Sequence, residues 1–245
     1  MKLKKLSLFL TAIAALTALI ILGFYAPYLN SETISRDREK LALGSTIKLP
    51  DPTTVGSISV EEALAKRRSI RDYSKDPLNL KQVSQLLWAA QGITETRYGL
   101  RTSPSAGGTY PLELYVVVAE NSVAELKVGV YQYVPKDHSL ILRSTADLRG
   151  ALSVAALGQK WVAEAPINIV IAAIYERTTK VYGDRGVRYV HMEVGHVGEN
   201  IYLQATALGL GTVTIGAFHD EEVQRILTLP SEQKPLYIMP VGRPR

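Results

Sequence analysis

The chain has 245 residues, 47% of them hydrophobic, 21% charged and 7% aromatic, a balance that excludes collagen-like, disordered and multi-span membrane proteins and allows one domain, or at most two small ones. It contains no cysteine, so disulfide frameworks, thiolate metal sites, iron–sulfur clusters and a cysteine nucleophile are all excluded. The net charge is +5, but Lys2, Lys4 and Lys5 supply three of those units; the near-neutral remainder gives no reason to expect a nucleic acid partner.

In chain order, the first thirty residues form a separate object. Leu6 to Phe24 carries no charge and follows the three lysines. Its length suits the roughly 20 residues that a helix needs to cross the hydrocarbon core. The run ends in Phe24, Tyr25, Ala26, Pro27 and Tyr28, aromatic where a signal peptidase requires small side chains. Residues 1–30 are therefore expected to be an uncleaved signal anchor, a single-pass transmembrane segment, in preference to a cleaved signal peptide. The lysines place its N-terminus in the cytoplasm and the main domain outside. Residues 31–56, polar and broken by Pro50 and Pro52, read as a tether.

The remainder, 57–245, alternates helical and strand patterns. Ser59 with Glu62 fits a capping box at the start of a short helix, and Asn79 to Gln91 reads as a second, stopped by Gly92. Leu112–Ala119 and Ile167–Ile174 are apolar runs expected to be buried strands. Val128–Val134 and Ser139–Arg143 read as a hairpin. The longest helix is expected over Tyr189–Leu208, with Val190, Val194, Val197, Ile201, Ala205 and Leu208 along one stripe. Strands at Thr212–Ile215 and Leu236–Val241 flank a helix beginning near Asp220. The class is α+β, with a mixed or mostly antiparallel sheet flanked by helices.

Several chemistries fail on spacing. His191 and His196 lie five residues apart, about 140° around a helix, so they do not form an i, i+4 metal pair, and no metal site is expected. No nucleophile elbow and no Walker A loop occur. Gly209-Leu210-Gly211 follows a helix and precedes a strand, the reverse of the dinucleotide-binding turn, and reads as a helix stop.

Two clusters remain. Arg67, Arg68, Ser69 and Arg71 offer guanidiniums and a hydroxyl suited to a phosphate, or else form a solvated basic helix end. Pro104, Ser105, Ala106, Gly107 and Gly108 precede a buried strand; small residues there let backbone amides approach a flat ligand, or make a plain loop.

Arg67-Arg68-Ser69-Ile70-Arg71, Pro104-Ser105-Ala106-Gly107-Gly108, Gly209-Leu210-Gly211 through Ile215-Gly216, and Gly242-Arg243-Pro244 occur in the order found in nitroreductase-like flavoproteins. The chain resembles that family, and within it the SagB-type dehydrogenases, through Tyr182 to Tyr189 leading into Gly195 to Asn200. The resemblance implies a homodimer with FMN at each subunit interface. Arg67, Arg68, Ser69, Arg71 and Arg243 would meet the phosphate and ribityl chain. Pro104, Ser105, Ala106 and Gly107 would line the flavin ring from across the dimer, and Ile215 and Gly216 would border it, with the Gly216 amide facing N5. Azoline-oxidising relatives carry a Lys-Tyr pair as candidate catalytic residues; here Tyr182 matches the tyrosine, but Val181 stands at the lysine position and Lys180 one residue earlier. The implied function is an FMN-dependent oxidoreductase passing electrons from a reduced donor such as NAD(P)H to an organic substrate, a small molecule or a peptide. The alternatives are azoline-type dehydrogenation in modified-peptide biosynthesis and a non-catalytic flavin-binding partner at a membrane.

Overall fold

The two long apolar runs, Leu112–Val118 (β4) and Ile167–Ile174 (β7), lie side by side and antiparallel, with Leu112 opposite Ala173 and Val118 opposite Ile167. The structure is a computed structural model that describes residues 42–245. Around the central pair stand Thr46–Lys48 (β1), Gly129–Val134 (β5), Ser139–Ser144 (β6), Gly211–Thr212 (β8) and Gln233–Gly242 (β9). The seven strands run in the order β1-β6-β5-β4-β7-β9-β8, and every pairing between them is antiparallel. Parallel pairing occurs in isolated bridges, among them Ser69 with Thr212. A small ribbon, Ile93–Glu95 (β2) with Leu100–Arg101 (β3), stands apart from this sheet.

Both sheet faces are covered, which is why β4 and β7 read as continuous rather than alternating apolar runs. One face of the sheet buries Tyr115, Val117, Val170 and Ile238 with Leu152 and Ala155 of Arg149–Ala155 (α3), Val162 of Lys160–Glu164 (α4) and Val223 of Asp220–Ile226 (α7). By the period of two, Leu114, Val116, Ile169 and Ile171 point the other way, and they are equally buried. Each such side chain contributes about 1.5–3 kcal/mol on burial.

Three more helices position the site. Val60–Lys66 (α1) is capped by Ser59, whose side chain accepts the Glu62 amide. Leu80–Gln91 (α2) starts with a full capping box between Asn79 and Gln82. Arg185–Ala207 (α6) begins four residues before the expected start at Tyr189 and packs against α2. Its Val190, Val194, Val197, Ile201 and Ala205 are buried, as their spacing predicts. Gly209 does stop it: the Gly209 amide donates to the Thr206 carbonyl and the Leu210 amide to the Ala205 carbonyl, the paired bonds that close a helix end. Glu176–Tyr182 (α5), like α3 and α4, has no counterpart in the sequence reading.

The tether expected over residues 31–56 is partly sheet. Thr46–Lys48 pairs with β6, Leu49 is buried, and the Pro50 carbonyl accepts the Ser84 hydroxyl at 2.6 Å. The apolar stretch expected to span a membrane, Leu6–Phe24, lies outside the described residues. Among the described residues, no helix is long and apolar enough to cross a membrane.

Candidate functional site

Directly after α1 the chain turns into an extended segment, Ser69–Ser74, and is stitched to the edge of the sheet. The Ile70 amide donates to the Thr212 carbonyl of β8, and the Ser74 amide donates to the Arg243 carbonyl just past β9. Tyr73, almost fully buried, donates its hydroxyl to the Ile70 carbonyl at 2.6 Å and to the Pro240 carbonyl at 3.1 Å. Burial pushes its ionisation up, so it stays a neutral donor. β8 lies so close to this segment that a Cβ at Gly211 would fall 2.6 Å from the Ile70 Cβ. These contacts bring Arg67, Arg68, Ser69 and Arg71 to the same sheet edge as Arg243, which the sequence separates from Arg67 by nearly the whole domain.

Tyr202 of α6 organises this end. Its hydroxyl bonds the Ser69 hydroxyl at 2.9 Å and accepts the Thr214 amide at 2.9 Å, while the Arg67 guanidinium lies 5.1 Å over its ring. Arg68 donates to the Ala65 and Arg67 carbonyls, and Arg71 lies over the Trp161 ring. None of Arg67, Arg68, Arg71 and Arg243 is ion-paired with a carboxylate among the described residues. Beside them, the buried Thr212 hydroxyl has no hydrogen-bond partner among the described residues. Ile215 is buried and exchanges both backbone bonds with Ile238, and exposed Gly216 follows it against the Tyr237 ring. Tyr202, Thr212 and Thr214 are absent from the sequence-predicted site. A tyrosine on the inner side of an amphipathic helix looks like core, and only its 133-residue contact with Ser69 reveals its role.

Pro104 to Gly107 gather elsewhere. Ser105 accepts the Tyr110 amide at 2.9 Å and donates to Oε2 of Glu193 at 2.6 Å. Ala106–Gly108 forms a single 3₁₀ turn in which Gly107 has φ = 62°. Tyr182, at the end of α5, rests here: a Cβ on Gly107 would lie 2.7 Å from its hydroxyl, and its ring meets Tyr189 edge-on at 5.1 Å. Tyr182 thus joins the loop cluster. Val181 is exposed, and Lys180 leaves α5 about 200° from Tyr182, so Lys180 does not stand beside the tyrosine as a neighbouring lysine would.

Within one chain the two clusters stay apart. Ser105 is held at Glu193 and Ser69 at Tyr202, nine residues along the same helix, or about 14 Å at 1.5 Å per residue. His191 bonds Tyr175 at 2.6 Å, and among the described residues no group of three histidine, aspartate or glutamate side chains could hold a metal ion.

The nitroreductase family model matches residues 64–243. A provisionally named nitroreductase of Methanocaldococcus jannaschii, MJ1384, is 52% identical over 197 residues, which cover 80% of this chain and 96% of that protein. The crystal structure of a provisionally named nitroreductase from Ralstonia eutropha matches with a TM-score of 0.72 at 32% identity, over 82% of this chain and 90% of the other. The microcin B17-processing protein McbC of Escherichia coli is 23% identical over 197 residues, 78% of this chain and 72% of McbC. The matched stretch takes in the basic segment, the glycine loop and the closing arginine, and the chain belongs to the nitroreductase family of oxidoreductases.

Proposed function

We propose that this protein is an FMN-dependent oxidoreductase that passes electrons from a reduced donor, NAD(P)H being the first to try, to an organic acceptor. The single observation that carries the reading is the sheet edge to which the backbone brings Arg67, Arg68, Arg71 and Arg243, none of them ion-paired with a carboxylate among the described residues. Guanidiniums without carboxylate partners suit a terminal phosphate, which they bind with charge-assisted bonds. The orphaned Thr212 hydroxyl and the hydroxyls of Ser69 and Tyr202 lie beside them, as a phosphate and a ribityl chain require. FMN, when bound, supplies the two-electron chemistry itself.

The chain's own residues then have limited tasks. Arg67, Arg68, Arg71 and Arg243 bind the phosphate, and Ser69 orients it with Tyr202. Ile215 and Gly216, held against β9 next to Thr214, border the ring and leave one face open. The Pro104–Gly107 loop lies about 14 Å along α6 from this end within one chain. A second copy supplying its loop meets the requirement, and the exposed apolar residues Val60, Leu64, Val187 and Met192 on α1 and α6 give such a homodimer a surface to bury. The upstream apolar stretch makes the protein single-pass, with this domain outside the cytoplasm; protease accessibility on intact cells checks that placement.

A second reading, azoline-type dehydrogenation of a peptide in the SagB-type branch, draws on Tyr182 at the loop and on the likeness to McbC. Val181 at the lysine position stands against it.

The test is direct. The purified full chain should be yellow, release FMN rather than FAD on denaturation, and oxidise NAD(P)H when offered nitro compounds or quinones. A colourless protein that binds no added FMN overturns the reading. A yellow protein that oxidises no donor with any acceptor leaves the non-catalytic flavin-binding alternative.

A further inference from the structure

Glu193 is a carboxylate with no evident place in the phosphate and ring contacts above, yet it is 3% exposed, in the middle of α6. One of its oxygens, Oε2, receives the Ser105 hydroxyl at 2.6 Å; the other, Oε1, is buried and makes no close hydrogen bond among the described residues. The groups facing it come from three other elements. Ser105 belongs to the glycine loop. Gln91 ends α2; its side chain acts on the Glu193 carboxylate, while its buried Nε2 makes no close hydrogen bond among the described residues. Arg101 of β3 donates to Gln91 Oε1 at 2.7 Å and stacks 4.3 Å over the Tyr110 ring. Burial pushes the Glu193 carboxyl above its ordinary value, and it prevails over the Ser105 and Gln91 side chains and the more distant Arg101 charge, all of which favour ionisation.

Ser105 has one hydroxyl hydrogen and two lone pairs. The Tyr110 amide fills one lone pair. While Glu193 is ionised, the Ser105 hydrogen is committed to the carboxylate. Once Glu193 carries a proton, its own O–H can fill the second lone pair, and the Ser105 hydrogen is released toward whatever the loop faces.

We propose that Glu193 is a positioning residue for the ligand face of the Pro104–Gly107 loop: its protonation decides whether the Ser105 hydroxyl turns inward to the carboxylate or outward as a donor to the bound flavin. The inference rests on the FMN reading above. No bond other than these hydrogen bonds changes, and the proton exchanges with solvent.

The experiment measures FMN affinity by quenching of flavin fluorescence, between about pH 5 and 9, for the wild type, Glu193→Gln and Ser105→Ala. A glutamine amide at 193 donates to Ser105 at every pH, as the protonated carboxyl does. Comparing the variants at each pH cancels the ionisation of the FMN phosphate. One hydrogen bond gained or lost corresponds to roughly 2- to 12-fold in affinity. The wild type should match Glu193→Gln at low pH and fall behind it by that factor as pH rises, while Ser105→Ala stays weak throughout. Without ligand, the thermal stability of the wild type relative to Glu193→Gln should decline as pH rises above the ordinary glutamate value, because the folded state holds the proton more tightly than the unfolded chain. Parallel affinity profiles for wild type and Glu193→Gln overturn the proposal. If Glu193→Gln fails to fold, parallel profiles for wild type and Ser105→Ala overturn it equally. A wild type that binds no FMN at any pH overturns the flavin reading and this inference with it.

Discussion

Around Ser69 four arginines, two exposed and two half-buried, stand without a carboxylate partner among the described residues, whereas around Ser105 a carboxylate stands buried with one oxygen making no close hydrogen bond among them. The first region keeps its charges near water, where they cost little, and gains when an anion arrives. The second has already paid the desolvation of Glu193 and returns it as a fixed loop shape. One end of the candidate site is therefore built for electrostatic capture and the other for geometry. Substitutions should separate the two: losses at the arginine end should follow ligand charge, and losses at the loop should follow volume and backbone angle.

The largest effect should come from the arginines. Each charge-assisted hydrogen bond is worth about 1.5–3 kcal/mol, so Arg67→Ala or Arg243→Ala should weaken FMN binding by roughly 10- to 150-fold. Riboflavin, which lacks the phosphate, should bind both variants as it binds the parent. A folded double variant that keeps parental FMN affinity at low salt would dissolve the distinction between the two ends.

Next in size is Gly107→Ala. It adds a side chain where φ is 62°, and its Cβ would lie 2.7 Å from the Tyr182 hydroxyl, so thermal stability should drop by about 1–3 kcal/mol. In a Tyr182→Phe background part of that loss should return, because the hydroxyl in conflict is gone. Equal losses in both backgrounds would put the cost in the backbone angle alone.

Tyr73→Phe should cost on the order of 1 kcal/mol of stability, measured by denaturant unfolding, as the bonds to the Ile70 and Pro240 carbonyls are lost. Since Tyr73 fastens the basic segment, FMN affinity should fall with it while loop-end properties hold.

A smaller, pH-dependent effect is expected far from both ends. His138 receives the Tyr133 hydroxyl on Nδ1 and meets Ser84 and the Pro50 carbonyl through Nε2, with Lys48 and Asp51 nearby. Burial holds it below its usual 6.5, so the unfolded chain takes up the proton first. Its contribution is complete above pH 6.5 and is lost as pH falls toward the folded-state value. The wild-type melting temperature should therefore fall more steeply below pH 6.5 than that of His138→Asn.

How much of this was legible in the sequence depended on how local each signal is. The β4 and β7 runs, the hairpin at 129–144 and the α6 stripe carry their own periodicity, and they appear within a few residues of where they were expected. β8, by contrast, is two residues long and exists only because β9 and Ser69 lie on either side of it. α3, α4 and α5 are five to seven residues each, too short for a stripe to show. The arginines and the glycine loop stood out because their residue types are unusual together. Tyr202 and Glu193 did not: each is a single polar group on an otherwise ordinary amphipathic helix, and its meaning lies in a partner 88 to 133 residues away.

The strand order carries one more consequence. β1 and β8 are the two outer borders of the seven-stranded sheet, six strand intervals apart, or about 29 Å at 4.8 Å per interval. The polypeptide joins the domain at the β1 border, and the arginines gather at the β8 border. Whatever precedes Thr46 is thus joined to this domain at the border opposite the arginines. A fusion placed before Thr46 should accordingly leave FMN affinity untouched, and a fusion after Arg245, two residues past Arg243, should not.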